Sequence, residues 1–129
     1  MPTVLVEVRR SYTREEENGI IDAVHKAMMV GIKTPEWDKN IRLVVHKPHR
    51  FTGPPGKTDR YTIISFDMFA GRSIEAKRSL YSALVSNLAE LGIPPDQTLI
   101  VLREHPPENW GVQGGLPASE VNIGFNINV

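Results

Sequence analysis

The pattern of apolar and polar residues divides the chain into two similar blocks. In the first block, Val4, Val6 and Val8 alternate with other residues in MPTVLVEV and predict a strand. A helical period follows, in which the apolar residues that share one face are Ile20, Ile21, Val24, Ala27 and Met28. Residues 41–46, IRLVVH, predict a second strand. The first block therefore predicts a strand–helix–strand unit.

The second block repeats this order. Residues 61–67, YTIISFD, and 98–103, TLIVLR, predict strands. Between them an apolar stripe predicts a helix with Leu80, Leu84, Leu88 and Leu91 on one face. Each unit should pair its two strands in parallel through a right-handed crossover. Two such units predict an α+β fold, with a four-stranded mixed sheet and both helices on one face.

The predicted ends of the two helices support the repeat. Thr13 stands three residues before Glu16, which is the spacing of a capping box, and Ser73 is a candidate N-cap of the second helix. Thr13 and Ser73 lie about 60 positions apart, as do Gly31 and Gly92, which are placed to end the helices. The chain is therefore interpreted as two copies of one unit.

The segments outside these units are a loop and a tail. Residues 47–60 contain prolines, glycines and basic side chains and predict a long loop. Residues 106–119 are rich in turn residues, and the strict apolar alternation from Val121 to Val129 predicts one more strand. We therefore expect one domain, residues 1–129, with units at about 2–46 and 61–104 and a C-terminal extension at 106–129.

One helical layer leaves the other face of a sheet bare. A neighbouring subunit can cover such a face, so the pattern predicts a homo-oligomer whose C-terminal strand contacts a neighbouring subunit.

Composition excludes several classes of function. The net charge is zero, which argues against a general nucleic-acid binder, and the chain has no cysteine for disulfide, thiolate or zinc–thiolate chemistry. No apolar run approaches the length of a membrane span and no secretion signal is visible, so we expect a cytoplasmic protein. Among the histidines, His46 and His49 are separated by a proline, and no set of carboxylates accompanies them or His105. We therefore expect neither a metal nor a cofactor.

Three motifs together resemble the 4-oxalocrotonate tautomerase family. The chain carries a proline directly after Met1, a Gly-Arg-Ser motif at residues 71–73 before a helix, and an aromatic residue followed by a glycine-rich turn at Trp110–Gly115. The spacing between the last two motifs also agrees with that family. Two fused units in one chain are similar to the malonate semialdehyde decarboxylase branch of the tautomerase superfamily. The resemblance covers nearly the whole chain and implies a cofactor-independent enzyme that assembles as a trimer.

The resemblance implies roles for two residues above all. Removal of Met1 would make the nitrogen of Pro2 a free secondary amine and a catalytic acid or base. Arg72 would bind the carboxylate of a small acid substrate, because a planar guanidinium can grip a carboxylate with two parallel hydrogen bonds.

Further site residues follow from the same resemblance. Asp38 would assist proton transfer or orient water beside Pro2, or it is simply a solvated loop residue. Arg42 would be a second substrate-binding arginine, in its own or a neighbouring subunit, or an outward-facing strand residue. Trp110 would form an apolar wall that excludes water. Tyr12 stands where the first copy would carry an arginine equivalent to Arg72, so we expect one site per chain.

The chain also departs from the decarboxylase branch. Ala70 stands where that branch has a second arginine, and Glu120 is a candidate for the glutamate that the dehalogenases need. Arg60 remains a candidate among the loop cations. The simplest chemistry for these groups is keto–enol tautomerisation of a 2-oxo acid. A decarboxylase, a dehalogenase or hydratase, and a non-catalytic binding protein of the same fold remain open.

Overall fold

The computed structural model describes residues 2–129 and contains both strand–helix–strand units. The first unit consists of β1 (Thr3–Val8), α1 (Arg14–Gly31) and β2 (Ile41–Val45). The second consists of β3 (Thr62–Phe69), α2 (Ile74–Glu90) and β4 (Thr98–His105). A short antiparallel hairpin of β5 (Gly111–Val112) and β6 (Leu116–Pro117) follows. The predicted α+β fold is confirmed, and β3 and β4 each run two residues beyond their predicted ends.

The four long strands form one mixed sheet in the order β2–β1–β3–β4. Each unit pairs its own strands in parallel, and the two units meet at the antiparallel β1–β3 pair. Thr3 lies opposite Asp67, and Val8 lies opposite Thr62. As a result, β1 and β2 begin at the edge of the sheet where β3 and β4 end. This antiparallel junction places residues from both units at each edge.

Local sequence defines the starts of both helices and the end of α2 as predicted. The Glu16 amide donates to Thr13 Oγ1 at 3.1 Å and the Thr13 amide donates to Glu16 Oε1 at 2.9 Å, which completes the capping box. Ser73 Oγ accepts from the Ala76 amide at 3.1 Å and caps α2. Gly92 has φ +86°, two residues after the end of α2. The α1 helix ends at Gly31, and the left-handed residue that follows it is Lys33 with φ +57° rather than a glycine.

Both helices pack on one face of the sheet. The alternate valines of β1 are fully buried against them, together with Phe66 of β3 and the leucines 80, 84 and 88 of α2. Leu91, the last leucine of the predicted stripe, is exposed. The opposite face of the sheet carries Val44, Leu99 and Val101, all of them exposed. Nothing within residues 2–129 covers this apolar face.

The prediction of a strand from Val121 to Val129 is wrong, because the described chain has no strand beyond β6. Asn122 and Asn126 accept hydrogen bonds from the amides of Gly124 and Asn128 at 2.9 Å, and these local turns compete with a strand ladder. Gly124 also has φ +82°. The alternation still marks burial, since Val121, Ile123, Phe125, Ile127 and Val129 are each less exposed than the residues between them. The tail packs on its own chain.

Membrane insertion receives no support from the helices: within residues 2–129, none is long and apolar enough to cross a bilayer.

Candidate active site

The sequence candidates Pro2, Asp38, Arg72 and Trp110 lie at one edge of the sheet, where β1 begins and β3 and β4 end. Pro2 is buried and directly precedes β1. The next residue, Thr3, pairs with Asp67 near the end of β3. On the other side of β1, the Val4 amide donates to the Asn40 carbonyl at 3.0 Å. Pro2 is therefore held between the end of β3 and the segment that leads into β2.

Asp38 belongs to that leading segment. Its amide donates to the Pro35 carbonyl at 3.0 Å, and the residue is only 6% exposed. It stands two residues before Asn40, which is bonded to β1, so the turn at Pro35 brings a buried carboxylate to the edge where Pro2 lies. A solvated loop aspartate would not be buried in this way.

Arg72 is the most unusual side chain at this edge. It lies in the β3–α2 turn, one residue before the N-cap Ser73, and is only 6% exposed. Its Nη1 donates to the Phe69 carbonyl at 2.9 Å. Its Nε and Nη2 atoms are buried and have no hydrogen-bond partner among residues 2–129. Buried polar groups are normally paired, so two free donors on one guanidinium indicate a position for an external acceptor.

The electrostatics at Arg72 favour an anion. Burial lowers the pKa of the Arg72 guanidinium, and the negative charges of Glu104 and Asp38 act in the opposite direction. An arginine nevertheless keeps its proton in proteins. Glu104 is itself paired with Lys77 at 2.5 Å. A buried cation with unused donors is costly unless an anion completes its shell, and a carboxylate matches the guanidinium fork.

Trp110 packs over the end of β3 and β4. Its ring lies 5.0 Å from the Phe69 ring and 5.9 Å from the His105 ring, measured between centroids. Its carbonyl accepts from the Ala118 amide at 2.9 Å, which ties it to the segment after the β5–β6 hairpin. The turn of that hairpin needs positive φ, and Gly114 and Gly115 supply it. Trp110 thus shares Phe69 as a neighbour with Arg72.

The C-terminal tail was not among the sequence candidates, yet it lies at this same edge. The Ser73 amide donates to the Val129 carbonyl at 2.7 Å, and a Cβ on Gly71 would come within 2.8 Å of Asn128 Oδ1. Phe125 meets the edge of the Trp37 ring with centroids 6.4 Å apart. The apolar alternation of the tail was the available signal, but it did not show which surface the tail would cover.

The remaining sequence candidates lie elsewhere. Arg42 is exposed on the open face of the sheet, beside Leu5 of β1. The Arg60 guanidinium lies 5.5 Å from the centroid of the Tyr12 ring, and its Nη1 donates to the Tyr12 hydroxyl at 3.4 Å. Arg42 is the second residue of β2, which begins at the Pro2 edge, whereas Arg60 precedes β3 at the far edge of the sheet. Glu120 is exposed at the end of a short turn after β6.

Two surface cavities of about 380 Å³ each lie near the far edge. One is lined by Tyr12, Ile20 and Leu91 among others, and the second by Arg9, Arg10 and His46 among others. Neither contains a candidate from the Pro2 edge. No group of three or more potential metal ligands occurs within residues 2–129.

Comparison with known proteins identifies the family. A family model described as tautomerase enzyme matches residues 38–113. The probable tautomerase YusQ of Bacillus subtilis (strain 168) is 25% identical over 121 residues, which cover 89% of this chain and 95% of that protein. Because the family model matches more than half of the chain, the chain belongs to the tautomerase family.

Solved structures give the same fold. FG41 malonate semialdehyde decarboxylase inhibited by 3-bromopropiolate is 26% identical, with a TM-score of 0.83 over 94% of this chain and 98% of that chain. The R7 fused 4-OT, an asymmetric trimer, is 23% identical, with a TM-score of 0.81 over 91% of this chain and 96% of that chain. At that lower identity the likeness concerns the fold alone.

Proposed function

We propose that this tautomerase-family protein is a cofactor-independent tautomerase acting on a small 2-oxo or enol acid. Pro2 serves as the acid and base, and Arg72 holds the substrate carboxylate. The observation that carries the proposal is the buried guanidinium of Arg72, whose Nε and Nη2 lack partners among the described residues, at the edge where Pro2 is buried. An anionic substrate supplies the missing acceptors.

The proton transfer requires removal of Met1, because an acylated Pro2 nitrogen has no basicity. A free α-amine has a pKa of about 7.7–8.0 in water. Apolar surroundings and a nearby guanidinium both favour its neutral form. Neutral Pro2 then accepts the hydroxyl proton of the enol, and the enolate forms. The protonated amine returns a proton to the adjacent carbon, which yields the keto acid and regenerates neutral Pro2.

Asp38 and Trp110 have supporting roles in this scheme. A carboxylate near Pro2 stabilises the ammonium form during the step in which Pro2 carries the proton, and it can orient a water molecule. Trp110 and its neighbour Phe69 form an apolar wall, which excludes water and strengthens the interaction between Arg72 and the substrate carboxylate.

A decarboxylase is the second candidate, and the likeness to FG41 malonate semialdehyde decarboxylase favours it. Tautomerisation is preferred because Ala70 stands where the decarboxylase branch places a second arginine, so one guanidinium rather than two would hold the acid. A dehalogenase or hydratase would need a further acidic group, and Glu120 is the candidate. A non-catalytic binding protein is the third alternative.

We also propose that the active form is a trimer. The exposed apolar face of the sheet, with Val44, Leu99 and Val101, requires a cover, and the fused 4-OT structures are trimers. Arg42 lies on that same face, so in an assembly it would approach a neighbouring subunit, where it could act as a second substrate-binding arginine. Sedimentation or light scattering checks the stoichiometry, and a monodisperse monomer would contradict it.

The decisive experiment combines mass spectrometry with three assays. Intact mass should show loss of Met1. Enol–keto exchange of phenylpyruvate, turnover of malonate semialdehyde and halide release from chloroacrylates then separate tautomerase, decarboxylase and dehalogenase. Each assay includes Pro2→Ala, and tautomerase activity that survives this change undiminished would refute the mechanism.

Arg72→Ala tests the carboxylate clamp, and Arg60→Ala is its matched control at the far edge. Loss of one partner of a buried charge pair costs about 2–5 kcal/mol, so we expect a large rise in KM for Arg72→Ala. Arg60→Ala should leave the kinetics unchanged. Equal kinetics for Arg72→Ala and the unmodified protein would remove Arg72 from the site.

A further inference from the structure

The chain carries the same arrangement of three side chains twice. In the first unit, Glu7 on β1 bonds His46 at 2.8 Å, and the His46 ring meets the edge of Phe51 with centroids 5.5 Å apart. In the second unit, Asp67 on β3 bonds His105 at 2.9 Å, and the His105 ring meets Trp110 with centroids 5.9 Å apart. The aromatic residue follows the histidine by five positions in both units. The two sets lie at opposite edges of the sheet.

The two sets differ in the aromatic residue. Phe51 at the far edge offers only a ring, whereas Trp110 at the Pro2 edge also carries an indole N–H. That Nε1 atom is buried and has no hydrogen-bond partner among residues 2–129. Buried indole N–H groups usually find an acceptor. Phe51 shows that an aromatic ring without an N–H is enough for packing against the histidine, so packing does not account for the free donor of Trp110.

Trp110 and Arg72, the residues that carry the free donors, both contact Phe69. Arg72 Nη1 bonds the Phe69 carbonyl at 2.9 Å, and the Trp110 ring lies 5.0 Å from the Phe69 ring. Arg72 Nε, Arg72 Nη2 and Trp110 Nε1 are all buried and unpaired within the described chain. Both residues with unpaired donors therefore have a common neighbour at this edge.

We propose that Trp110 is a substrate-binding residue that donates its indole N–H to an oxygen of the bound acid, and that the His105–Asp67 pair is the positioning device for its ring. The proposal deepens the function proposed above and rests on it. Asp67 fixes the His105 ring through Nε2, and Arg103 grips the same carboxylate at 2.9 and 3.2 Å. The His105 ring in turn fixes the face of the indole, so the orientation of the N–H is set before substrate arrives.

An NMR experiment tests the donor directly. The Pro2→Ala variant, labelled with ¹⁵N and titrated with pyruvate, binds the acid without turnover. The chain has two tryptophans, and a Trp37→Phe substitution assigns the two indole signals. We expect the Trp110 indole proton to move downfield and to exchange more slowly with solvent, and both effects to disappear in Arg72→Ala.

The NMR outcomes separate the two proposals. If the amide signals of residues 71–73 respond to pyruvate while the Trp110 indole proton stays in place, the donor role is wrong and the proposed function stands. If no signal responds at saturating pyruvate, both proposals are overturned.

Kinetics of four variants complete the test. Trp110→Phe keeps the apolar wall and removes the N–H, so kcat/KM for phenylpyruvate enol–keto exchange should fall about tenfold to a hundredfold, as for loss of a hydrogen bond to a charged group. His105→Leu should cause a similar loss and abolish the indole shift. His105→Gln, which retains a nitrogen for Asp67, should recover most of both. The matched change His46→Leu at the far edge should leave kcat/KM unchanged.

Two kinetic results would overturn the proposal. Trp110→Phe with the kinetics of the unmodified protein would show that the ring alone is used. A loss in His46→Leu as large as that in His105→Leu would show that the pair stabilises the sheet and does not position the indole.

Discussion

Gly31 provides a quantitative test of how closely the two helices pack. It is the last residue of α1, and its Cα faces the backbone of α2. A Cβ at this position would lie 2.5 Å from Leu80 Cα, 2.6 Å from Leu80 N and 2.8 Å from Leu80 Cβ. Ordinary contacts of a Cβ begin at 3.4 Å. Gly31→Ala therefore forces the helices to separate by about 1 Å at a place where backbone, rather than a flexible side chain, is in the way.

The expected cost follows from the surroundings of Gly31. Met28 and Leu80 are fully buried beside the contact, so a shift there loosens the centre of the core. Overpacking of a well-packed core costs about 1–3 kcal/mol. Alanine regains part of this through its higher helix propensity, but Gly31 ends the helix and so the gain is small. We expect a net destabilisation of about 1–3 kcal/mol, which for a chain of this size lowers Tm by roughly 3–15 °C.

Gly19 offers the matched control within the same helix. A Cβ there would meet only the methyl groups of Leu91 at 4.0 Å. Gly19→Ala should therefore stabilise α1 by about 0.5–1 kcal/mol through propensity alone. Thermal and urea unfolding of the two variants should show shifts of opposite sign in Tm and in the free energy of unfolding. Both variants are measured at the same protein concentration, because association also stabilises the folded state. Destabilisation by both changes, or by neither, would refute the reasoning on close helix packing.

Three further predictions address a helix cap, a carboxylate and the tail. Thr13→Ala removes the side-chain cap of α1 and should cost about 1 kcal/mol in urea unfolding. Hydrogen bonds from Arg103 and then His105 lower the pKa of Asp67 to about 2, from an ordinary value of 3.8. The stability that Asp67 contributes is thus present above about pH 4 and lost as pH falls towards 2. In urea unfolding, the free energy of unfolding of the unmodified protein relative to that of Asp67→Asn should therefore fall by about 1 kcal/mol between pH 5 and pH 2. The effect is no larger because the Asp67 side chain is partly exposed. Gly71→Ala, at φ +131° and against Asn128, should displace the tail and speed its cleavage in limited proteolysis, whereas unchanged cleavage would contradict the tail contact.

The fold was predictable where local rules determine it. The capping box at Thr13, the cap at Ser73 and the left-handed Gly92 each depend on residues within one helical turn, so a single sequence displays them. The buried valines of β1 follow from a period of two. The order of the four strands is different, because the antiparallel pairing of Val4 with Phe66 joins residues far apart in the chain and leaves no local mark.

The site was predictable only in part for the same reason. Family resemblance pointed to Pro2 and Arg72, and the structure places them at one edge. It could not show that two donors of Arg72 and the indole N–H of Trp110 are buried and unpaired within the described chain, because burial depends on packing between the units. The tail was mistaken for a strand because the alternation of apolar residues indicates only which side chains are covered. Strand pairing also requires free backbone amides and carbonyls, and the asparagine turns occupy some of these amides.

The two edges of the sheet differ in how far the chain itself satisfies the hydrogen-bond donors of an arginine. At the far edge, Arg9 bonds the carbonyls of Phe51 and Thr58 through Nε, Nη1 and Nη2 at 3.1, 2.9 and 2.7 Å. The buried Gln97 accepts from the Thr58 amide at 2.9 Å, so the long loop satisfies the polar groups that it covers. An anion placed there would have to displace bonds that the chain already makes. At the Pro2 edge, Arg72 donates one hydrogen bond to the chain through Nη1, and its Nε and Nη2 are unpaired within residues 2–129. An anion placed there would accept hydrogen bonds from these two atoms without displacing the existing one. The two edges share the fold of the repeat, and they differ in whether the chain itself pairs the nitrogens of the guanidinium.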